Sequence, residues 1–257
     1  MSVAFVTGAA GDIGRAICRA LQAEGAAIAA VDVDMNGLQA VTRELEPSGR
    51  ILAVHADVTR MESVLRAAEL VRKTLGGVSV LVNNAGGITK ATLATTEESD
   101  WLRDVELNLN GPWRCIKALQ DQLIASRPSV IVNIASINGL GVFGHPGYSA
   151  AKAGLIHLTR FCAVEFGRLG VRSVAICPGS VKTRQWEARQ AESPEILAEA
   201  ASWYPSRDTS TPADVARLVA SVVRPDMAQM NGSVITLDGG LSAGSDRLAS
   251  VFAGESL

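Results

Sequence analysis

Tyr148 and Lys152 are the two residues of this 257-residue chain whose types and spacing most directly suggest chemistry. They are one helical turn apart, so the phenol and the ammonium are expected to share one face of a helix. An ammonium beside a phenol favours the phenolate, and we expect it to lower the tyrosine pKa from its ordinary value near ~10. A tyrosine tuned in this way exchanges protons with an alcohol or a ketone near neutral pH. Taken alone, the pair also fits two residues on a helix surface.

A glycine-rich turn lies near the start of the chain, in Thr7-Gly8-Ala9-Ala10-Gly11-Asp12-Ile13-Gly14. It follows a predicted strand and opens a predicted helix, which is the context that gives such a turn meaning. Glycines let the backbone approach a phosphate, and the start of a helix offers free N–H groups. We therefore favour a phosphate-binding turn over an ordinary tight turn. A Walker loop is not supported, because no Gly-Lys-Ser/Thr sequence follows.

Asp32 ends the second predicted strand, where a carboxylate can accept both ribose hydroxyls of an adenosine. It would repel a 2′-phosphate, and positions 33–36 contain no Arg or Lys to offset that repulsion. Arg15 is the nearest cation, and we expect it to point elsewhere. Asp34 is better explained as a helix cap.

Short apolar runs alternate with amphipathic stretches throughout the chain, which predicts a doubly wound α/β fold with about seven parallel strands and helices on both faces. Residues 1–244 are predicted to form a single domain. The predicted strands are 3–6, 27–31, 51–54, 80–82, 130–134, 174–176 and 234–237. The predicted helices lie near 13–23, 36–45, 61–75, 99–123, 149–168 and 212–223.

Composition excludes several classes of protein. A net charge of −2 gives no electrostatic sign of nucleic acid or anionic membrane binding. Four scattered cysteines indicate buried free thiols, and three histidines show no metal-ligand spacing, so we predict neither disulfides nor a metal site. We expect no signal peptide, because no basic segment followed by an apolar run opens the sequence, and no membrane span, because no apolar run reaches ~18 residues. The expected location is the cytoplasm.

Two segments interrupt the alternation. Residues 183–211 are polar with aromatics and prolines, and they follow the sixth strand, where ligands sit in open α/β sheets. We interpret them as a substrate-loop insertion and a candidate lid, while a surface loop with two short helices is equally compatible. Residues 245–257 form a C-terminal tail that is either loose or reaches another subunit.

Together, these features resemble the short-chain dehydrogenase/reductase family over roughly residues 2–244. The resemblance rests on the order and placement of seven features: Thr7–Gly14, Asn83–Gly86, Asn108, Ser136, the Tyr148–Lys152 pair, Pro178–Gly179 and Asp238–Gly240. It implies a Rossmann-type fold and an enzyme that uses a nicotinamide cofactor.

The resemblance also implies roles for individual residues. Asn108, Ser136, Tyr148 and Lys152 match the family's catalytic tetrad. The cofactor contacts it implies, together with those argued above, are Gly8, Asp12, Ile13, Gly14, Asp32, Asp57, Val58, Asn84, Ala85, Gly86, Tyr148, Lys152, Pro178, Gly179, Val181 and Thr183. Asn108 would position a water that links Lys152 to bulk solvent.

One residue departs from the family pattern. The usual turn reads Thr-Gly-x-x-x-Gly-x-Gly, and here Asp12 stands where the middle glycine is expected. An acidic side chain facing a diphosphate is unfavourable, so we expect Asp12 to point away and cap the helix.

The leading expectation is an NAD-dependent oxidoreductase that interconverts a secondary alcohol and a ketone. A 3-oxoacyl-thioester reductase of the same family and a non-catalytic cofactor-binding protein remain alternatives. Trp186, Trp203, Tyr204 and the His145-Pro146-Gly147 turn are candidates for the substrate cavity. The sequence does not identify the small-molecule substrate. The family resemblance implies a homo-oligomer, a tetramer or a dimer, formed through the helices at 99–123 and 149–168.

Overall fold

A seven-stranded parallel sheet forms the centre of the protein, in the order β3-β2-β1-β4-β5-β6-β7. The computed structural model describes residues 2–184, 186 and 195–255. The strands are β1 Val3–Thr7, β2 Ala27–Asp32, β3 Ile51–His55, β4 Val80–Asn83, β5 Ser129–Ile134, β6 Val171–Pro178 and β7 Val234–Leu237. The predicted fold, a doubly wound parallel sheet, is confirmed.

Helices cover both faces of the sheet. The described helices are α1 Asp12–Ala23, α2 Met35–Leu45, α3 Met61–Thr74, α4 Glu98–Val105, α5 Gly111–Ala125, α6 Pro146–Gly167, α7 Ile196–Ser202, α8 Pro212–Val223 and α9 Asp246–Ala253. A π-helical turn, Glu106–Asn110, joins α4 to α5.

Alternating side chains of each strand supply two separate cores. In β1, Ala4 and Val6 pack with α1, α2 and α8 on one face, while Val3 and Phe5 pack with α3, α5 and α6 on the other. All four side chains are buried, as expected for strands covered on both faces. Burying one large apolar side chain contributes roughly 1.5–3 kcal/mol, so both faces hold the sheet in place.

The strand order reverses beside β1, because β2 and β3 lie on one side and β4 to β7 on the other. The connections leave β1 and β4 in opposite directions and open a crevice at their carboxyl ends. Both the glycine-rich turn after β1 and the Asn84 loop after β4 border this crevice.

The observed bounds lie within three residues of the predicted ones, and three differences have a structural explanation or add an element. β6 begins at Val171, ahead of the predicted 174–176, and its buried Ser173 explains why the apolar pattern started late. The helix predicted at 99–123 contains the π turn. The C-terminal tail forms α9 between Asp246 and Ala253.

The insertion predicted at 183–211 is described only in part, because residues 185 and 187–194 lie outside the described residues. Its later part pairs with the chain just beyond β6: Val181 forms a parallel bridge with Ser210, and the Lys182 amide donates to the Ser210 carbonyl. Whether the segment acts as a lid stays a prediction. Within the described ranges, no helix combines the length and hydrophobicity needed to cross a bilayer. The four cysteines are buried free thiols, as predicted.

Candidate active site

Helix α6 places Tyr148 and Lys152 one turn apart, as the spacing predicted. The Lys152 ammonium lies 5.4 Å from the centre of the Tyr148 ring. Lys152 is buried, and its Nζ donates a 2.7 Å hydrogen bond to the Ile134 carbonyl at the end of β5. The backbone of the sheet therefore fixes the ammonium beside the phenol.

Burial controls the protonation of this pair. It lowers the pKa of Lys152 from 10.5 to about 8, because removal from water disfavours the ammonium. It also raises the pKa of Tyr148, and the hydrogen-bonding contact with Ser136 only partly opposes that rise. The expectation that Lys152 lowers the Tyr148 pKa is therefore wrong for the free protein, because desolvation of the phenol is the larger effect.

Ser136 follows β5 and is held by Asn138, a residue that the sequence reasoning missed. The Ser136 hydroxyl donates to Asn138 Oδ1 at 3.2 Å, and Asn138 Nδ2 donates to the Gly144 carbonyl at 3.1 Å. A carbonyl can only accept, so Gly144 fixes which end of the amide faces Ser136. The sequence could have suggested this contact, because Asn138 follows Ser136 by only two residues.

Asn108 lies in the π turn, and its amide is committed to backbone groups. Its Nδ2 donates to the carbonyls of Gly87 and Asp104 at 2.8 and 2.9 Å, and its Oδ1 accepts from the Gly87 amide at 3.2 Å. A Cβ built on Gly86 would lie 2.8 Å from Asn108 Oδ1 and 3.6 Å from Lys152 Nζ. Asn108 and Lys152 therefore meet at Gly86, and the water-positioning role of Asn108 stays a prediction.

A cavity of about 1100 Å³ occupies the crevice at the carboxyl ends of β1 and β4. Eleven of the predicted cofactor contacts line it: Gly8, Asp12, Ile13, Gly14, Asp32, Asp57, Val58, Asn84, Ala85, Gly86 and Thr183. These residues come from five separate stretches of sequence, and the fold brings them to one cleft. A volume of this size suits a ligand as large as a dinucleotide.

The glycines of the turn fit a close backbone approach. Gly8 has a φ of +66°, and a Cβ there would lie 2.9 Å from Ala85 Cα. A Cβ on Gly14 would lie 2.1 Å from the Gly8 carbonyl oxygen. Asn84 closes the turn, since its Nδ2 donates to the carbonyls of Thr7 and Gly8. A side chain at either glycine would break this arrangement.

Asp32 borders the cavity at the end of β2. Its Oδ2 accepts from the Ala10 amide at 3.0 Å and its Oδ1 from the Asp34 amide at 3.1 Å, which fixes the carboxylate. Asp34 caps α2 by accepting from two amides of its first turn, as predicted. Arg15 pairs with Glu44 and so points elsewhere, also as predicted.

Asp12 does not cap α1, so that expectation is wrong. The cap position belongs to Gly11, and Asp12 is the first residue inside the helix, beyond the point where a side chain reaches back to the free amides. Its carboxylate instead accepts from the backbone N–H and the Nε of Arg184, at 2.8 and 2.6 Å. Arg184 also lines the cavity and was not among the predicted site residues.

The predicted contacts Pro178, Gly179 and Val181 lie at and beyond the carboxyl end of β6 and do not line the cavity. The Tyr204 hydroxyl accepts from the Ser180 amide at 2.7 Å, and its ring packs against Gly179. Tyr204 is buried here, whereas Trp203 is exposed, with Arg247 4.6 Å from its ring centre.

A family model described as "Enoyl-(Acyl carrier protein) reductase" matches residues 8–242, which is most of the chain. The chain belongs to the short-chain dehydrogenase/reductase family. The resemblance inferred from the sequence is thereby confirmed, and so is the class of oxidoreductase.

Three similar proteins illustrate the relationship. An uncharacterised oxidoreductase of Schizosaccharomyces pombe is 35% identical over 244 residues, covering 94% of this chain and 91% of its own. An oxidoreductase of the short-chain dehydrogenase/reductase family from Burkholderia thailandensis is 37% identical, and its structure superposes with a TM-score of 0.92. The match covers 99% of this chain and 98% of that chain. L-sorbose reductase from Gluconobacter frateurii, complexed with NADPH and L-sorbose, is 27% identical with a TM-score of 0.89. The match covers 93% of this chain and 96% of that chain.

Members of this family bind nicotinamide cofactors, and the geometry here fits one. The glycine turn leaves no room for a Cβ at Gly8 or Gly14, and Asp32 is fixed at the cavity edge. Among the described residues, no group of three or more His, Cys, Asp or Glu side chains is arranged to hold a metal ion.

Proposed function

We propose that the protein is an NAD-dependent oxidoreductase that interconverts a secondary alcohol and a ketone. The observation that carries this proposal is the meeting of Ser136, Tyr148 and Lys152 at the carboxyl ends of β5 and β6, beside a cleft that fits a dinucleotide. Bound NAD would supply the hydride acceptor for the alcohol.

The residues of the site have different roles in the proton transfer. In the oxidation direction, Tyr148 accepts the hydroxyl proton, and Ser136 hydrogen-bonds the same oxygen and orients it. In the reduction direction, Tyr148 donates that proton. The raised pKa of Tyr148 keeps its proton in place at neutral pH, which suits donation, and oxidation is expected to accelerate at alkaline pH. Lys152 would hold the ribose hydroxyls, and Asn108 would connect Lys152 to solvent.

Asp32 supports NAD over NADP. The residues beside it in the cavity lining, Val31 and Val33, carry no charge that could pair with a 2′-phosphate. A like-charge clash of ~3 kcal/mol corresponds to roughly a hundredfold preference. The NADPH bound to L-sorbose reductase shows that NADP use occurs among relatives. We therefore expect Asp32→Ala to weaken NAD use and improve NADP use together.

The test is a panel of secondary alcohols with NAD and with NADP, followed by the absorbance of the reduced cofactor. We expect turnover with NAD on at least one alcohol class and a loss of ~10²–10⁴-fold in Tyr148→Phe, with NADH binding within a few-fold of wild type. Turnover in Tyr148→Phe above about a tenth of wild type, or a wild-type preference for NADP, would contradict the proposal.

A 3-oxoacyl-thioester reductase is the second candidate, favoured by the 32% identity of this chain to the 3-oxoacyl-[acyl-carrier-protein] reductase FabG of Thermotoga maritima. The two functions separate in the same assay when 3-oxoacyl thioesters with NADH and NADPH are added to the panel. A kcat/KM for a thioester that exceeds that of every simple alcohol and ketone would favour the second candidate.

A further inference from the structure

An ion pair ties the first turn of α1 to the segment that follows β6. Arg184 donates both its backbone N–H and its Nε to the Asp12 carboxylate, across most of the chain length. Both residues line the cavity, and the Arg184 side chain is 68% exposed, so its remaining N–H groups are open to the cleft.

The same turn carries the amides best placed for a diphosphate. The Gly11 amide donates to the Gly8 carbonyl, and the Arg15 amide donates to the Gly11 carbonyl. The amides of Asp12, Ile13 and Gly14 lie between these two hydrogen-bonded amides. The first amides of a helix have no partner within it and attract anions. The Asp12 carboxylate brings a negative charge to this point, which opposes the attraction.

The other cations near this turn either pair with another carboxylate or lie on the other face of the sheet. Arg15 and Arg19 pair with Glu44, and Lys182, two residues before Arg184, pairs with Asp208. Arg103 also lines the cavity, but it belongs to α4, which packs on α6 across the sheet from α1. Arg184 is therefore the lining cation that is bonded to the first turn of α1.

We propose that Arg184 is a cofactor-binding residue that contacts the diphosphate of the dinucleotide, and that Asp12 holds it there. The Asp12–Arg184 pair thus takes the place of the glycine that the family uses in this turn. The carboxylate positions the guanidinium, and the guanidinium cancels the repulsion that the carboxylate alone would exert. This inference rests on the proposed dinucleotide-binding function.

The test compares dissociation constants for NADH, measured by its fluorescence, in wild type, Arg184→Ala, Asp12→Gly and the double variant. We expect Arg184→Ala to bind about tenfold more weakly, because Asp12 then faces the diphosphate unpaired. Asp12→Gly is expected to bind as tightly as wild type or more so, and the double variant within about threefold of wild type. Asp12→Asn serves as a second variant that keeps the side chain in the helical turn.

Two controls isolate the diphosphate. Lys182→Ala removes a neighbouring exposed cation that does not line the cavity, and it should leave the NADH dissociation constant unchanged. Adenosine, which lacks phosphate, should compete with NADH equally well in every variant, whereas ADP-ribose should follow NADH. The loss in Arg184→Ala should also shrink at high salt, because an exposed charge contact is screened.

The outcomes separate this inference from the proposed function. The role of Arg184 would be overturned, with dinucleotide binding left intact, by either of two results. One is an Arg184→Ala variant that binds NADH as tightly as wild type. The other is an Asp12→Gly substitution that tightens NADH binding by the same factor with and without Arg184. A wild-type protein that binds neither NADH nor ADP-ribose would overturn both.

Discussion

Lys152 is buried and Tyr148 is half-buried, and loss of water raises the pKa of the phenol and lowers that of the ammonium to about 8. The two shifts have one cause, since burial disfavours a charged form whichever sign it carries. The spacing of the residues was readable from the sequence because a helix fixes it. Their desolvation was not readable, because it depends on packing against β5 and β6.

The hydrogen-bonding contact between Ser136 and Tyr148 is the interaction that lowers the Tyr148 pKa. Removing it in Ser136→Ala should raise that pKa further. Because oxidation needs the phenolate, the alkaline rise of kcat/KM should move to higher pH, with a loss of ~10²-fold at neutral pH. The measurement is a pH–rate profile for alcohol oxidation, with Ser202→Ala on α7, outside the cavity lining, as the control. If kcat/KM falls at every pH while the alkaline rise stays at the same pH, Ser136 does not contribute to the Tyr148 pKa.

Lys152 makes the stability of the free protein depend on pH. Its pKa is about 8 in the folded state and near 10.5 when unfolded, so between these values the unfolded chain binds more protons. The Lys152 contribution to the free energy of unfolding should therefore rise with pH between about 8 and 10.5 and stay constant below about pH 8. The four buried cysteines, whose pKa values are raised, oppose this rise both in wild type and in Lys152→Met. Urea unfolding at pH 7.5 and 10 should therefore show a more favourable change with pH in wild type than in Lys152→Met. Equal pH dependence in both proteins would contradict the shift.

At the scale of elements, apolar runs predicted the strands well because a strand buried on both faces is apolar throughout. The bounds of β7 and α8 agree with the prediction. The π turn at Glu106–Asn110 was missed, since one periodic pattern runs through α4 and α5 and does not report a local widening. Asn108 looked like an ordinary helical amide for the same reason.

Tyr204 anchors the end of β6 to the segment that follows it. Its buried hydroxyl is the acceptor for the Ser180 amide, and an amide left without an acceptor costs about 1–3 kcal/mol. Tyr204→Phe should therefore lower the free energy of unfolding by roughly that amount, as measured by urea titration. The exposed neighbour provides the control, and Trp203→Leu should change stability much less. Equal effects of the two substitutions would show that the hydroxyl contributes nothing at this point.

At the scale of the whole molecule, the sequence predicted most of the cleft because each strand end carries its own recognisable residues. Gly8, Asp32, Asp57 and Asn84 follow four different strands, and the strand order brings them together. Arg184 escaped prediction because its partner, Asp12, is 172 residues away and only the folded chain makes the contact.

Helices α4 to α6 carry large apolar side chains that the single chain leaves in water. Phe161 and Val164 on α6 are 60% and 84% exposed, and they are three residues apart on one face. Trp113 on α5 is also exposed. Soluble monomers rarely expose such patches without a partner, and these are the helices through which a homo-oligomer was expected.

If copies of the chain associate through this face, a charge placed in it should separate them, because burying an unpaired carboxylate is strongly unfavourable. Wild type should sediment at a multiple of the chain mass of 26.9 kDa, and Phe161→Glu combined with Val164→Glu should shift the distribution towards one chain. Leu65→Glu with Leu70→Glu introduces the same charges at exposed apolar positions of α3 and should leave the mass unchanged. A wild type that sediments as a single chain would contradict the existence of this interface. A larger loss of mass in the α3 double variant would place the interface elsewhere.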